Sequence, residues 1–177
     1  VYDVIELGMS EVDVSRMVCQ FMLEEGADRL SHAQVMAEGT SGINLLSSDA
    51  VDRPIEAGWV HLDIGAKYKR YMSDINRGIF LGREPTQDEV KLYEVRKGIN
   101  EVMDRTIKPG VSIEHLIDEV TEYVEGGDCK LKTFAGMAFL GHYIGMEPYQ
   151  HPNLIPSSVQ PEFQNDDGEV LFQKGMM

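Results

Sequence analysis

Apolar residues recur at helical spacing in three stretches of this chain. Val14, Met17, Val18, Phe21 and Met22 form the first stripe. Leu92, Val95, Ile99, Val102 and Met103 form the second, and Ile113, Leu116, Ile117, Val120 and Val124 the third. Recurrence every three to four residues predicts three amphipathic helices. Their ends carry matching signals. Ser10 reads as an N-cap and Gly26 as a stop for the first. Thr86-Gln87-Asp88-Glu89 reads as a capping box, with Thr86 capping and Glu89 reaching back. Ser112 opens the third helix and Gly126-Gly127 closes it. Methionines in such stripes are core material far more often than cofactor contacts.

Strand-like stretches lie at 33–38, 57–65, 71–81, 131–135 and 169–172, with Gly-, Ser- and Asp-rich loops between them. In the run from Trp59 to Gly65, Val60, Leu62 and Ile64 alternate, so Asp63 points to the opposite face. A second run, Tyr71 to Arg77, carries Asp74. A tight hairpin turning at Tyr68-Lys69 would set Asp63 directly opposite Asp74, with Cβ atoms roughly 4.5–5.5 Å apart. Two like charges so placed repel, and a divalent metal between them would relieve the repulsion. Tyr-Lys is a poor tight turn, so a shifted pairing, with both aspartates as ordinary surface residues, is the competing reading. Gly8-Met9-Ser10 and Gly110-Val111-Ser112 each precede a helix, which suggests a duplicated α+β half.

With 177 residues, 42% hydrophobic and 26% charged, the chain can bury one sizeable core. A net charge of −14 argues against a nucleic-acid surface, because phosphates would be repelled. No apolar run reaches membrane-span length, so no membrane partner is expected. Two cysteines, Cys19 and Cys129, make no disulfide framework, and a reducing cytoplasm is the simplest location. The opening at Val1 and the apolar close at Met176-Met177 suggest a piece of a longer protein.

One more segment carries chemistry. His142 lies between Gly141 and Tyr143-Ile144-Gly145, in backbone free to bend close to a ligand. A lone His is more often structural than a ligand. Combined with two carboxylates, however, an imidazole would complete a mixed oxygen and nitrogen shell.

Three stretches then resemble the methionine aminopeptidase, prolidase and creatinase family, the pita-bread fold. His61-Leu62-Asp63-Ile64-Gly65-Ala66 is similar to the strand bearing the family's first metal aspartate. Tyr71-Met72-Ser73-Asp74-Ile75-Asn76-Arg77 is similar to its Ser-Asp-Ile-Thr-Arg-Thr segment, and Gly141-His142-Tyr143-Ile144-Gly145-Met146-Glu147 to its Gly-His-Gly-Ile-Gly-Leu-Glu segment. Weaker echoes are Ser41-Gly42-Ile43-Asn44, Ile55-Glu56-Ala57-Gly58 and Lys108-Pro109-Gly110. The resemblance implies an α+β fold of duplicated halves, with a curved, mainly antiparallel sheet and outer helices. It implies one such domain over residues 1–177, incomplete at both ends.

It also implies metal ligands at Asp63, Asp74 and His142, and two divalent ions (Mn, Co, Zn or Fe). Two further ligand glutamates would lie past Met177. The implied reaction is hydrolysis near a peptide N-terminus, often beside proline, by a metal-activated water. A homodimer is a looser implication. Departures from the pattern exist. Leu45 to Asp49 lacks the family's cleft His, and Tyr149 stands where a second His is usual. His151 lies close by, so Tyr149 or His151 would bind the substrate or its oxyanion; an ordinary surface loop is the other reading. Asn76 and Gly78 replace two threonines around Arg77. Two rival functions follow: a metal-free binding module, and a small-molecule amide hydrolase or lyase of the creatinase-like branch.

Overall fold

The computed structural model describes residues 2–39, 50–127, 140–147 and 150–176. The chain divides into two compact units, Val1–Pro85 with Ile144–Pro148, and Thr86–Tyr143 with Tyr149–Met177.

In the first unit, α1 spans Glu11–Glu24. Ser10 caps it, its side chain accepting from the Asp13 amide. At the far end Gly26 has φ +99°, and Gly26 N–H and Ala27 N–H bond back to the carbonyls of Leu23 and Met22. That is a Schellman ending, and glycine suits it because a Cβ disfavours positive φ. Strand β1 spans Arg29–Ala37, β2 Gly58–Tyr68, β3 Tyr71–Met72 and β4 Ile75–Leu81. All pairings are antiparallel: β1 flanks one side of β2, while β3 and β4 follow one another along the other side. One sheet face is apolar. Val35 and Ala37 of β1, with Val60 and Leu62 of β2, pack against Val14 and Val18 of α1 and against Ile5 and Ile55. Alternation therefore leaves His32, Gln34, His61, Asp63, Asn76 and Gly78 on the other face.

In the second unit, α2 spans Gln87–Thr106 and α3 Ile113–Gly126. The Thr86–Glu89 capping box is present, and Ser112 caps α3 through the His115 amide. Ile99 and Val102 pack with Ile113, Leu116, Val120 and Val124, and the core is completed by Tyr143, Leu154, Val170 and Phe172.

Several expectations need correction. The hairpin turns at Lys69-Arg70, whose φ values are +47° and +79°, rather than at Tyr68-Lys69. Positive φ at both central residues gives the twist a two-residue hairpin needs, and here Asp28 accepts the Lys69 amide at 2.6 Å. The register consequently moves by two, so Asp63 pairs with Asn76 instead of Asp74. The expected 71–81 strand is interrupted at Ser73-Asp74. The first strand begins at Arg29 rather than 33. Leu92 is 45% exposed and Phe21 37%, so neither joins its stripe's buried face. For Leu92 the reason is length, because α2 outruns α3 and its first turns lie past the shorter helix. Residues 169–172 form no named strand, although Leu171 bridges Ser112. The expected strand at 131–135 lies outside the described residues. No described helix is long and apolar enough to cross a membrane.

Candidate metal centre

The break between β3 and β4 is built from two small residues. At position 73 the Ser73 amide donates to the Ala66 carbonyl at 2.9 Å, as a ladder residue would. The returning bond is different, because the Ala66 amide donates to the Ser73 hydroxyl at 3.0 Å, where a carbonyl would ordinarily accept. The Ser73 carbonyl instead lies over Gly65, in the space that a Cβ there would occupy. Gly65 thus gives the carbonyl room, Ser73 keeps the ladder satisfied, and the chain leaves strand geometry at Asp74.

Asp74 thereby approaches Asp63 without facing it in the ladder. His32 on β1 lies between them. Its Nε2 is 2.9 Å from Asp63 Oδ1 and 3.7 Å from Asp74 Oδ1. One ligand atom from each of His32, Asp63 and Asp74 falls within 4.8 Å of the other two. These side chains are 21%, 24% and 21% exposed, which is open enough for an ion to enter and enclosed enough to strengthen its field. Asn76 donates to Asp74 Oδ1 at 3.4 Å and helps orient it. Further along the same face the Trp59 indole stacks on His61, with ring centroids 5.4 Å apart. Two carboxylate oxygens and an imidazole nitrogen form a donor set that suits divalent Zn, Mn, Fe or Co. The residues therefore fit a divalent cation.

Sequence reasoning singled out Asp63 and Asp74 but passed over His32. The signal was present. Ala33, Val35 and Ala37 alternate, so His32 and Gln34 belong to the opposite face once the strand is carried back to Arg29.

His142 belongs to the second unit, where its Nδ1 lies 3.2 Å from the Tyr143 carbonyl. Tyr143 is buried and its ring meets Phe172 edge-on, with centroids 6.4 Å apart. Burial pushes its phenol up to about 12. From Ile144 the chain belongs to the first unit, and the Met72 amide of β3 donates to the Gly145 carbonyl at 2.6 Å. His151, in the second unit, is exposed and stacks on Phe163 at 5.5 Å with rings 12° from parallel. Tyr149 lies outside the described residues, as do Leu45 to Asp49.

The model of metallopeptidase family M24 matches residues 1–177. An uncharacterized peptidase of Bacillus subtilis, YqhT, is 31% identical over 151 residues, covering 83% of this chain and 40% of the relative. An Xaa-Pro dipeptidase of Pyrococcus furiosus is 28% identical over 151 residues, with 83% and 41% covered. Among solved structures, a prolidase from Thermococcus sibiricus superposes with a TM-score of 0.76 at 25% identity, over 99% of this chain and 44% of that one. The chain spans about two-fifths of the length of the curated relatives it matches. Its fold is the expected α+β pita-bread arrangement.

Proposed function

Since this chain belongs to metallopeptidase family M24, we propose that the protein it represents is a divalent-metal-dependent hydrolase acting near peptide N-termini, on bonds that involve proline. The observation that carries this reading is the convergence of Asp63 from β2 and Asp74 from the break between β3 and β4. The names of its relatives, Xaa-Pro dipeptidase and Xaa-Pro aminopeptidase, support the substrate class.

In the proposal Asp63, Asp74 and His142 hold the metal. Support for His142 is its motif, two residues before the segment that joins β3 in the first unit. A divalent cation supplies positive charge that polarises a carbonyl and acidifies water near neutral pH. The chain's own residues orient and hold. Asp63 is fixed by the β2 ladder between its β1 and β4 partners, Gln34 and Asn76. Asp74 is fixed by the Ser73 break and by Asn76. Tyr149 or His151 binds the substrate carbonyl and steadies charge developing on it. For His151, stacking on Phe163 supports this role by limiting ring rotation. Manganese as the ion, a second ion, a cytoplasmic location and a homodimer belong to the same proposal and rest on the family resemblance.

The experiment is turnover of Xaa-Pro dipeptides by the full-length protein, before and after chelation. We expect activity to vanish with EDTA and return with Mn²⁺ or Co²⁺, and Asp63→Asn or Asp74→Asn to fall to background. Metal analysis of the purified protein that found no ion would favour the binding module. Turnover of creatine-like amides with none of Xaa-Pro peptides would move the protein to the small-molecule branch.

A further inference from the structure

We infer that His32 supplies Nε2 as a ligand to the cation held by Asp63 and Asp74, adding an imidazole from β1 to the site. This rests on the metal-dependent reading above. Three observations support it.

The first is distance. Donor atoms about 2.0–2.2 Å from one ion stand about 2.8–3.6 Å apart at octahedral or tetrahedral angles. Nε2 of His32 lies 2.9 Å from the Asp63 oxygen, within that range, and 3.7 Å from the Asp74 oxygen, at its upper edge.

The second is the tautomer. The Ser31 hydroxyl donates to Met72 Sδ at 3.4 Å. Its oxygen can then accept from His32 Nδ1 at 3.1 Å, in the tautomer that carries its proton there. With the proton on Nδ1, the Nε2 lone pair faces Asp63 Oδ1 at 2.9 Å. A nitrogen lone pair and two carboxylates pointing at one another repel unless a cation lies among them. A partner that fixes the far nitrogen of a ligating histidine is the usual arrangement around metals.

The third is a niche. A Cβ at position 65 would lie 2.6 Å from His32 Cε1 and 2.9 Å from its Nδ1. The ring is therefore seated over a glycine, in space that a side chain would fill. The irregularity in β1 pairing between Leu30 and His32 falls beside this seat, where His32 pairs with Gly65.

The test is Mn²⁺ and Co²⁺ binding by the full-length protein, using calorimetry for affinity and pulsed EPR of the Mn²⁺ form for coupled imidazole nitrogens. His32→Phe fills the niche without a ligand atom, and His32→Ala is the second variant. Circular dichroism of the metal-free proteins checks the fold. We expect at least about tenfold weaker binding and one fewer coupled nitrogen than in the unmodified protein. Unchanged affinity, or weaker binding with an unchanged nitrogen count, would overturn the assignment; the latter would make His32 a hydrogen-bonding neighbour of Asp63. Asp63→Asn separates this from the broader reading. If that variant still binds Mn²⁺ fully, the metal site itself fails. If it loses binding while both His32 variants keep it, only the His32 assignment fails.

Discussion

The two units open α1 and α3 in the same way and then anchor them differently. Gly8 has φ +89° and Gly110 +87°, and Ser10 and Ser112 share nearly identical extended conformations before capping α1 and α3. The Gly8 amide donates to the Ile55 carbonyl at 3.0 Å, and the Gly110 amide to the Phe172 carbonyl at 2.8 Å. Each acceptor residue returns a bond, Ile55 N–H to the Met9 carbonyl and Phe172 N–H to the Val111 carbonyl. Beyond the cap the units diverge. In the first, the Glu11 carboxylate, in a residue only 1% exposed, accepts the Ala37 and Val51 amides at 2.9 and 3.0 Å. In the second, Glu114 accepts the Ser157 amide and hydroxyl, and that hydroxyl oxygen accepts the Val170 amide. One acid ties backbone directly; the other works through a serine. Local sequence thus sets how a helix begins. What the first-turn acid grips depends on which amides lack a ladder partner.

Removing the two acids should separate the units most. Glu11→Ala leaves two amides without their carboxylate and should cost about 3–5 kcal/mol. Glu114→Ala should cost about 1–3 kcal/mol, since its more open surroundings admit water. Urea unfolding measures both, and a larger loss at Glu114 would reverse the comparison. Gly65→Ala comes next, at about 1–3 kcal/mol from overpacking. It should also weaken Co²⁺ binding, because Ser73 and His32 must both move; unchanged affinity would detach the niche from the site. Ser10→Ala and Ser112→Ala should each cost about 1 kcal/mol. Losses that differ by more than that would show that the shared opening is not energetically shared.

The smallest effect belongs to Tyr143. Its hydroxyl is buried and has no hydrogen-bond partner among the described residues. Tyr143→Phe should therefore stay within about 1 kcal/mol of the parent at pH 8. Alkali should then distinguish them. Folding raises the phenol from 10.0 to about 12, so its contribution is fully present below pH 10 and is lost as pH rises through about 12. Unfolding midpoints across that window should fall more steeply for the parent than for the phenylalanine variant.

The helix caps were legible because capping chemistry is local, and the structure places Ser10, Thr86 and Ser112 where the sequence predicts them. The faces of β2 were legible through alternation. The pairing was not, because Lys69 and Arg70 adopt positive φ without the glycine or asparagine that advertises such a turn. A slip of two residues keeps every side chain on its face, whereas a slip of one would have put Asp74 on the face opposite Asp63. Hence Asp63 and Asp74 approach each other although the predicted partners were wrong. His32 does not stand out because strand ends are poorly marked, and the alternation is plain only from Ala33 onward. Leu92 was misread because a stripe does not say how long the neighbouring helix is.

The interruption at Ser73 also constrains anyone who would transplant this corner into another hairpin. The second carboxylate cannot travel alone. It takes its bearing from a hydroxyl one position earlier and from the missing methyl across the strand, so the graft must carry Gly65, Ser73 and Asp74 as a single cassette. A library that randomises the acids and leaves those two inert companions to chance would sample the chemistry while discarding the geometry that aims it.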